Sequence, residues 1–248
     1  MNAIERNIER IRAEIGGAAT ESGRSPEAIT LLAVSKGRSA EEVQAAYHAG
    51  QRHFGENYLQ EALPKIQALS KLDLVWHFIG AIQSNKTRAI SEHFQWVHTV
   101  DRLHIAKRLS AQRPAGRALD VCLQINLDAE ASKAGIDAAA ACELAPQVAQ
   151  LPHLRLRGLM SIPAPRDVFE DQCAAFEGLR SLYEKLDGGL AIPDFDTLSM
   201  GMSDDFQAAV REGATIVRIG TAIFGPREAG QGPEGAKGRA NGAPIGKV

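Results

Sequence analysis

Cysteine is scarce in this chain. Cys122, Cys142 and Cys173 are three in 248 residues, odd in number and without metal-ligand spacing, which argues against a disulfide scaffold and for buried or inert thiols in a reducing compartment. An excess of positive charge is also missing: 28 Lys and Arg stand against 30 Asp and Glu, the net charge is −2, and no local run of cations compensates. Nucleic acid therefore has no electrostatic footprint to bind. No stretch reaches the roughly 20 apolar residues of a membrane span, and Met1-Asn2-Ala3-Ile4-Glu5-Arg6 lacks the apolar core of a signal peptide. The expected location is the cytoplasm. No Gly-x-Gly-x-x-Gly follows the first strand, since Lys36-Gly37-Arg38-Ser39 is not a dinucleotide turn, and this disfavours an open doubly wound sheet. His53, His77, His93 and His98 lack ligand spacing, so no metal is expected. From Arg227 onward large apolar residues nearly vanish, and residues 227–248 are expected to form a flexible tail that cannot offset its ordering entropy.

What remains is strongly periodic. Ile4, Ile8, Ile11 and Ile15 recur at helical spacing and predict an amphipathic first helix. Short apolar runs then predict eight strands, at residues 30–35, 52–54, 74–79, 96–100, 120–126, 154–160, 197–200 and 215–219. Helical patterns separate them at 40–49, 58–69, 85–93, 102–112, 136–151, 168–186 and 204–212, with Gly50, Gly188 and Gly213 placed to end helices in a left-handed conformation. Strict alternation of this kind requires a parallel sheet with crossover helices. Eight units in a chain of this size predict one α/β domain over residues 1–226, a closed (β/α)8 TIM barrel with an extra N-terminal helix.

In such a barrel, chemistry belongs on the face formed by the strand C-termini and the loops that follow them. Lys36 ends the apolar run Leu31-Leu32-Ala33-Val34-Ser35-Lys36, which carries an amine to that face. Gly55-Glu56-Asn57-Tyr58 follows the second strand, and the third leads through His77-Phe78-Ile79-Gly80 into Gln83-Ser84-Asn85-Lys86. Strand seven delivers Ser199-Met200-Gly201-Met202-Ser203-Asp204, and strand eight delivers Arg218-Ile219-Gly220-Thr221. These last two loops are rich in Gly, Ser and Thr and occupy the usual phosphate position of the architecture. Ser203 is expected to cap the helix that follows, and Asp204-Asp205 to stabilise its N-terminus. A lysine facing a phosphate cradle fits a phosphorylated aldehyde held as a Schiff base, because desolvation frees the neutral amine. Pyridoxal phosphate meets both requirements in one molecule.

AVSK at 33–36, HFGENY at 53–58, WHFIG at 76–80 with QSNK at 83–86, RGLM at 157–160, LSMGMSDD at 198–205 and VRIGTAIFG at 217–225 closely resemble the YggS/PROSC family of pyridoxal-phosphate homeostasis proteins. The resemblance implies a barrel like the N-terminal domain of alanine racemase. It implies a cofactor site of Lys36, as the covalent attachment, with Asn57, Ser199, Met200, Ser203, Arg218, Gly220 and Thr221. Within it, Ser203, Gly220 and Thr221 hold the phosphate and Arg218 faces the pyridine nitrogen. It further implies a binder and buffer of vitamin B6 with no catalytic residue. The expected partners are pyridoxal phosphate and, transiently, enzymes that lack it. A monomer is expected, because no interface stripe is visible. Two departures from the common pattern are Lys36-Gly37-Arg38-Ser39, where many relatives read Lys-Thr-Lys-Pro, and Ala81, where Pro is frequent.

Charge explains why such a protein need not catalyse. An arginine about 4 Å from a protonated ring nitrogen opposes it by roughly 4 kcal/mol at an effective dielectric near 20, or about three pK units. The ring stays neutral and is a weaker electron sink. Two other classes stay open at this point: a racemase or lyase of low activity using the same cofactor, and an aldolase-like barrel that forms a Schiff base with its own substrate.

Overall fold

Eight parallel strands close on themselves in sequence order, with β8 paired back to β1. The computed structural model describes residues 2–128 and 134–226, so the expected tail lies outside the described residues. After α1 (Ala3–Glu21) come β1 (Thr30–Val34), α2 (Ala40–His48), β2 (His53–Glu56), α3 (Leu59–Ala68), β3 (Val75–Phe78), α4 (Thr87–His93), β4 (Trp96–Val100) and α5 (Leu103–Gln112). The second half contains β5 (Leu119–Ile125), α6 (Ala138–Ala149), β6 (Leu154–Ser161), α7 (Phe169–Leu190), β7 (Thr197–Ser199), α8 (Phe206–Arg211), β8 (Ile216–Ile219) and α9 (Thr221–Phe224). All eight expected strands are present, and the N-terminal helix with them. Among the described residues no helix is long and apolar enough to cross a membrane.

Local chemistry sets several boundaries. Asn2 accepts from the Glu5 N–H while Glu5 reaches back to the Asn2 N–H, a reciprocal cap that starts α1. Ile8, Ile11 and Ile15 then form its buried face, and the helix packs over α8 and α9. Ser39 and Glu42 form the same cap on α2. This gives the Gly37-Arg38-Ser39 departure a structural account. Ser39 starts the helix, and Arg38 pairs with Glu42 at 3.3 Å and donates to the Gly225 carbonyl just beyond α9. Cys122 and Cys173 are free and buried, and burial pushes both thiols up.

Two expectations about helix ends fail. Gly50 and Gly213 do take positive φ after α2 and α8, but Gly188 lies inside α7, which runs on to Leu190. The left-handed residue there is Ala191, at φ 45°. Nor does Ser203 cap α8. The N-cap is Asp205, whose carboxylate accepts the Met202 N–H at 2.6 Å, so the loop folds back on itself before the helix begins.

Candidate cofactor site at the upper mouth of the barrel

At the C-terminal ends of the strands lies a cavity of about 370 Å3, within the size range of small-molecule sites. Six of the eight expected residues line it: Lys36, Asn57, Ser203, Arg218, Gly220 and Thr221. Its apolar wall comes from Val34, Ile79, Met160, Ile162 and Met202. Asp204 lines it too, a residue that sequence reasoning had assigned to the helix start.

Ser199 and Met200 are not on the wall. Both are fully buried beneath it; Met200 belongs to the apolar core, and Ser199 touches Arg218 instead of the cavity. The short strand β7 ends at Ser199, so the loop, not the strand, reaches the mouth. The Ser84–Lys86 turn, prominent in sequence, also lies away from the cavity. There the Ser84 carbonyl accepts from Thr87 and Arg108, a structural role.

The segment carrying Lys36 is held from outside the barrel. The Ser35 carbonyl accepts from Lys65 Nζ at 2.8 Å, and the Ser35 hydroxyl donates to Glu56 Oε1 at 2.6 Å. Lys65 Nζ and Glu56 Oε1 are 2.5 Å apart, and both side chains are buried. On the other side of Lys36, the Gly37 N–H donates to Glu61 Oε2 at 2.8 Å. Lys65 and Glu61 of α3 therefore clamp the peptide groups on both flanks of Lys36, and Glu56 of β2 holds the Ser35 hydroxyl. Burial raises the Glu56 carboxyl above the ordinary range, and Lys65 and Ser35 pull it back only in part.

Arg218 is the buried cation of the site. Its Nη1 donates to Ser199 Oγ and its Nη2 to the Ser161 carbonyl, each at 2.8 Å. Both acceptors are neutral oxygens, so Arg218 is not one half of a hydrogen-bonded ion pair. Desolvation lowers its pKa to about 10, partly offset by the more distant Asp205. It remains cationic at neutral pH and lines the cavity with no carboxylate hydrogen-bonded to it among the described residues.

The alanine racemase N-terminal domain family matches residues 1–228. The chain belongs to that family, in its YggS/PROSC branch. The pyridoxal phosphate homeostasis protein of Pseudomonas aeruginosa is 58% identical over 231 residues, covering 93% of this chain and 98% of that one. Its Escherichia coli counterpart is 53% identical over 239 residues, with 92% and 98% covered. The structure of PipY from Synechococcus elongatus with PLP bound is 39% identical, covers 90% of this chain and all of that one, and superposes with a TM-score of 0.78. An alanine racemase from Corynebacterium glutamicum shares 19% identity at a TM-score of 0.62, and this chain covers 60% of it. At that identity the likeness is one of fold.

Proposed function

We propose that this chain binds pyridoxal 5′-phosphate at the upper mouth of its barrel, with Lys36 holding it as a Schiff base. It then serves vitamin B6 balance in the cell as a carrier and buffer without catalytic turnover, yielding the cofactor to enzymes that lack it. One observation carries the reading: a lysine, a buried guanidinium and a hydroxyl-rich corner made by Ser203, Gly220 and Thr221 converge on one cavity. The PLP-bound relative at 39% identity supports it, as do relatives above 50% identity named for pyridoxal phosphate homeostasis.

The residues fit the group. Asn57 Oδ1 is buried and has no hydrogen-bond partner among the described residues, an acceptor that a ligand donor can satisfy. Ser203 and Thr221 offer hydroxyl donors, which suits a phosphate. Arg218 would face the ring nitrogen as a cation with no carboxylate hydrogen-bonded to it among the described residues. Once bound, the cofactor supplies an electrophilic aldehyde and an electron-withdrawing ring. Every other contribution comes from the protein, which anchors, orients and holds the ring unprotonated.

Borohydride reduction followed by peptide mass measurement tests the attachment. The adduct should fall on the peptide containing residue 36 and vanish in Lys36→Ala. A saturated native protein with residue 36 unmodified overturns the reading. Proton exchange at the α-carbon across a panel of amino acids tests the buffer role, since turnover at catalytic protein concentrations would make the chain a racemase or lyase.

Arg218→Gln removes the opposing charge. The visible spectrum of the loaded variant should then titrate near neutral pH, where the wild type does not, because about three pK units of electrostatic opposition are gone. An unchanged spectrum would put the guanidinium away from the ring nitrogen.

A further inference from the structure

Three histidines that sequence spacing kept apart come within hydrogen-bond distance of one another. His53 Nδ1 on β2 lies 3.0 Å from His77 Nε2 on β3, and His77 Nδ1 lies 2.9 Å from His98 Nε2 on β4. His98 Nδ1 is 2.8 Å from Ser199 Oγ on β7, which receives Arg218 Nη1 from β8 at 2.8 Å. Strands β4 and β7 are not neighbours in the closed order, so the His98–Ser199 contact crosses the interior. The last member, His53, lines a different cavity, at the N-terminal ends of β1 and β2, beside Gln51 and Arg52. A continuous hydrogen-bonded chain thus runs from the cavity at the C-terminal ends of the strands to a pocket at the N-terminal ends of β1 and β2.

Donor counting gives the chain a direction. A serine hydroxyl has one proton and two lone pairs. Arg218 can only donate, so one lone pair of Ser199 is taken. If His98 also donated from Nδ1, the Ser199 proton would be left without a partner among the described residues in a fully buried position, costing about 1–3 kcal/mol. The satisfied arrangement has Ser199 donating to His98 Nδ1, His98 Nε2–H donating to His77 Nδ1, and His77 Nε2–H donating to His53 Nδ1. All three rings then carry their proton on Nε2.

We propose that Ser199, His98 and His77 are positioning residues for Arg218, forming a one-directional file of neutral dipoles whose negative ends point at the guanidinium. A carboxylate in their place would hold Arg218 equally well but would cancel its charge. The file stabilises and orients the cation while leaving that charge available to the cavity, and aligned hydrogen bonds of this kind reinforce one another. Neutrality of the rings is consistent with their setting: burial lowers His77 well below its ordinary value, and burial together with Arg218 lowers His98 to about 3. The tautomer order needs no ligand. Its consequence for the cofactor rests on the function proposed above.

The test is a long-range proton–nitrogen correlation on protein labelled with 15N-histidine, recorded from about pH 5 to 8, the range in which an ordinary histidine titrates. His77 and His98 should show the Nε2–H pattern throughout and should not titrate. In Ser199→Ala, His98 should gain Nδ1–H population. Affinity for pyridoxal phosphate should fall about tenfold, the scale of a lost hydrogen bond to a charged group. Ser199→Thr, which keeps the hydroxyl, should restore both. Nδ1–H tautomers in the wild type, titrating rings, or an unmoved His98 in Ser199→Ala would overturn the proposal. So would unchanged affinity in Ser199→Ala. Failure of the Lys36 adduct is a separate result, because the tautomers are read without the cofactor.

Discussion

Lys65→Met should lower the stability of the fold by about 3–5 kcal/mol, the usual cost of removing one partner from a buried ion pair. That is a large share of the roughly 5–15 kcal/mol that holds a typical protein folded. The cause is Glu56, which would keep the Ser35 hydroxyl but lose the Lys65 counter-cation in a place closed to solvent. Already one of its oxygens, Oε2, is buried without a hydrogen-bond partner among the described residues.

The pH dependence of this variant follows from sign. Burial raises the Glu56 carboxyl above its unfolded value, and removing Lys65 removes the main opposing influence. A group whose folded pKa is raised adds stability below its unfolded pKa and loses that stability as pH rises through the folded pKa. The variant should therefore unfold at lower denaturant at about pH 8 than at about pH 5, acid pH supplying the proton that Glu56 then needs. Glu56→Gln in the same chain should remove that slope and recover much of the loss. Denaturant unfolding at the two pH values reads both effects. A loss under about 1 kcal/mol with no slope would mean that the pair is effectively solvated, as surface pairs are.

Gly158→Ala should be comparably damaging, by a different route. Gly158 pairs with Thr197 across β6 and β7, and a Cβ at residue 158 would lie 1.8 Å from the Thr197 carbonyl oxygen. The obstacle is backbone, so no side chain can swing aside. The φ of 155° adds strain for any residue with a Cβ. Overpacking costs about 1–3 kcal/mol and a strained backbone about as much again, which predicts a loss of roughly 3 kcal/mol or more. Gly189→Ala is the matched control. It lies in α7 with nothing within 4 Å of the added methyl, and it should be neutral or stabilising by up to about 1 kcal/mol. Equal losses in the two variants would overturn the steric account of Gly158.

The Gly158 approach also bears on the site. Strands β6 and β7 end in Ser161 and Ser199, whose oxygens hold Arg218. Spreading these strands should loosen the guanidinium before the barrel opens.

Sequence patterning was most informative where a signal is local. An apolar run of four to eight residues bounded by turn residues marks a buried strand whatever surrounds it, and all eight strands were legible in this way. Lys36 and Arg218 stood out because each puts a cation inside or at the end of such a run, with Gly-Ser-Thr loops predicted at the same end of the barrel. Helix ends were less legible. Gly188 looked like a stop, yet α7 continues because its buried face, through Leu182 and Leu186, is already committed to the core. Ser203 looked like a cap, yet Asp205 takes the Met202 amide and delays the helix by two residues.

Residue by residue, the chain itself dictated its parallel strands, its amphipathic helices, and the placing of Lys36, Asn57 and the Gly-Ser-Thr loops at one end of them, because periodicity and turn chemistry act between near neighbours. Only the closed tertiary structure decided which side chains meet across the ring. It set Ser199 against His98, 101 positions away in sequence, and joined His53, His77 and His98 into one file. It also put Lys65 beneath the backbone that bears Lys36. Those contacts depend on how far each strand is staggered when the sheet closes, and no short segment carries that information.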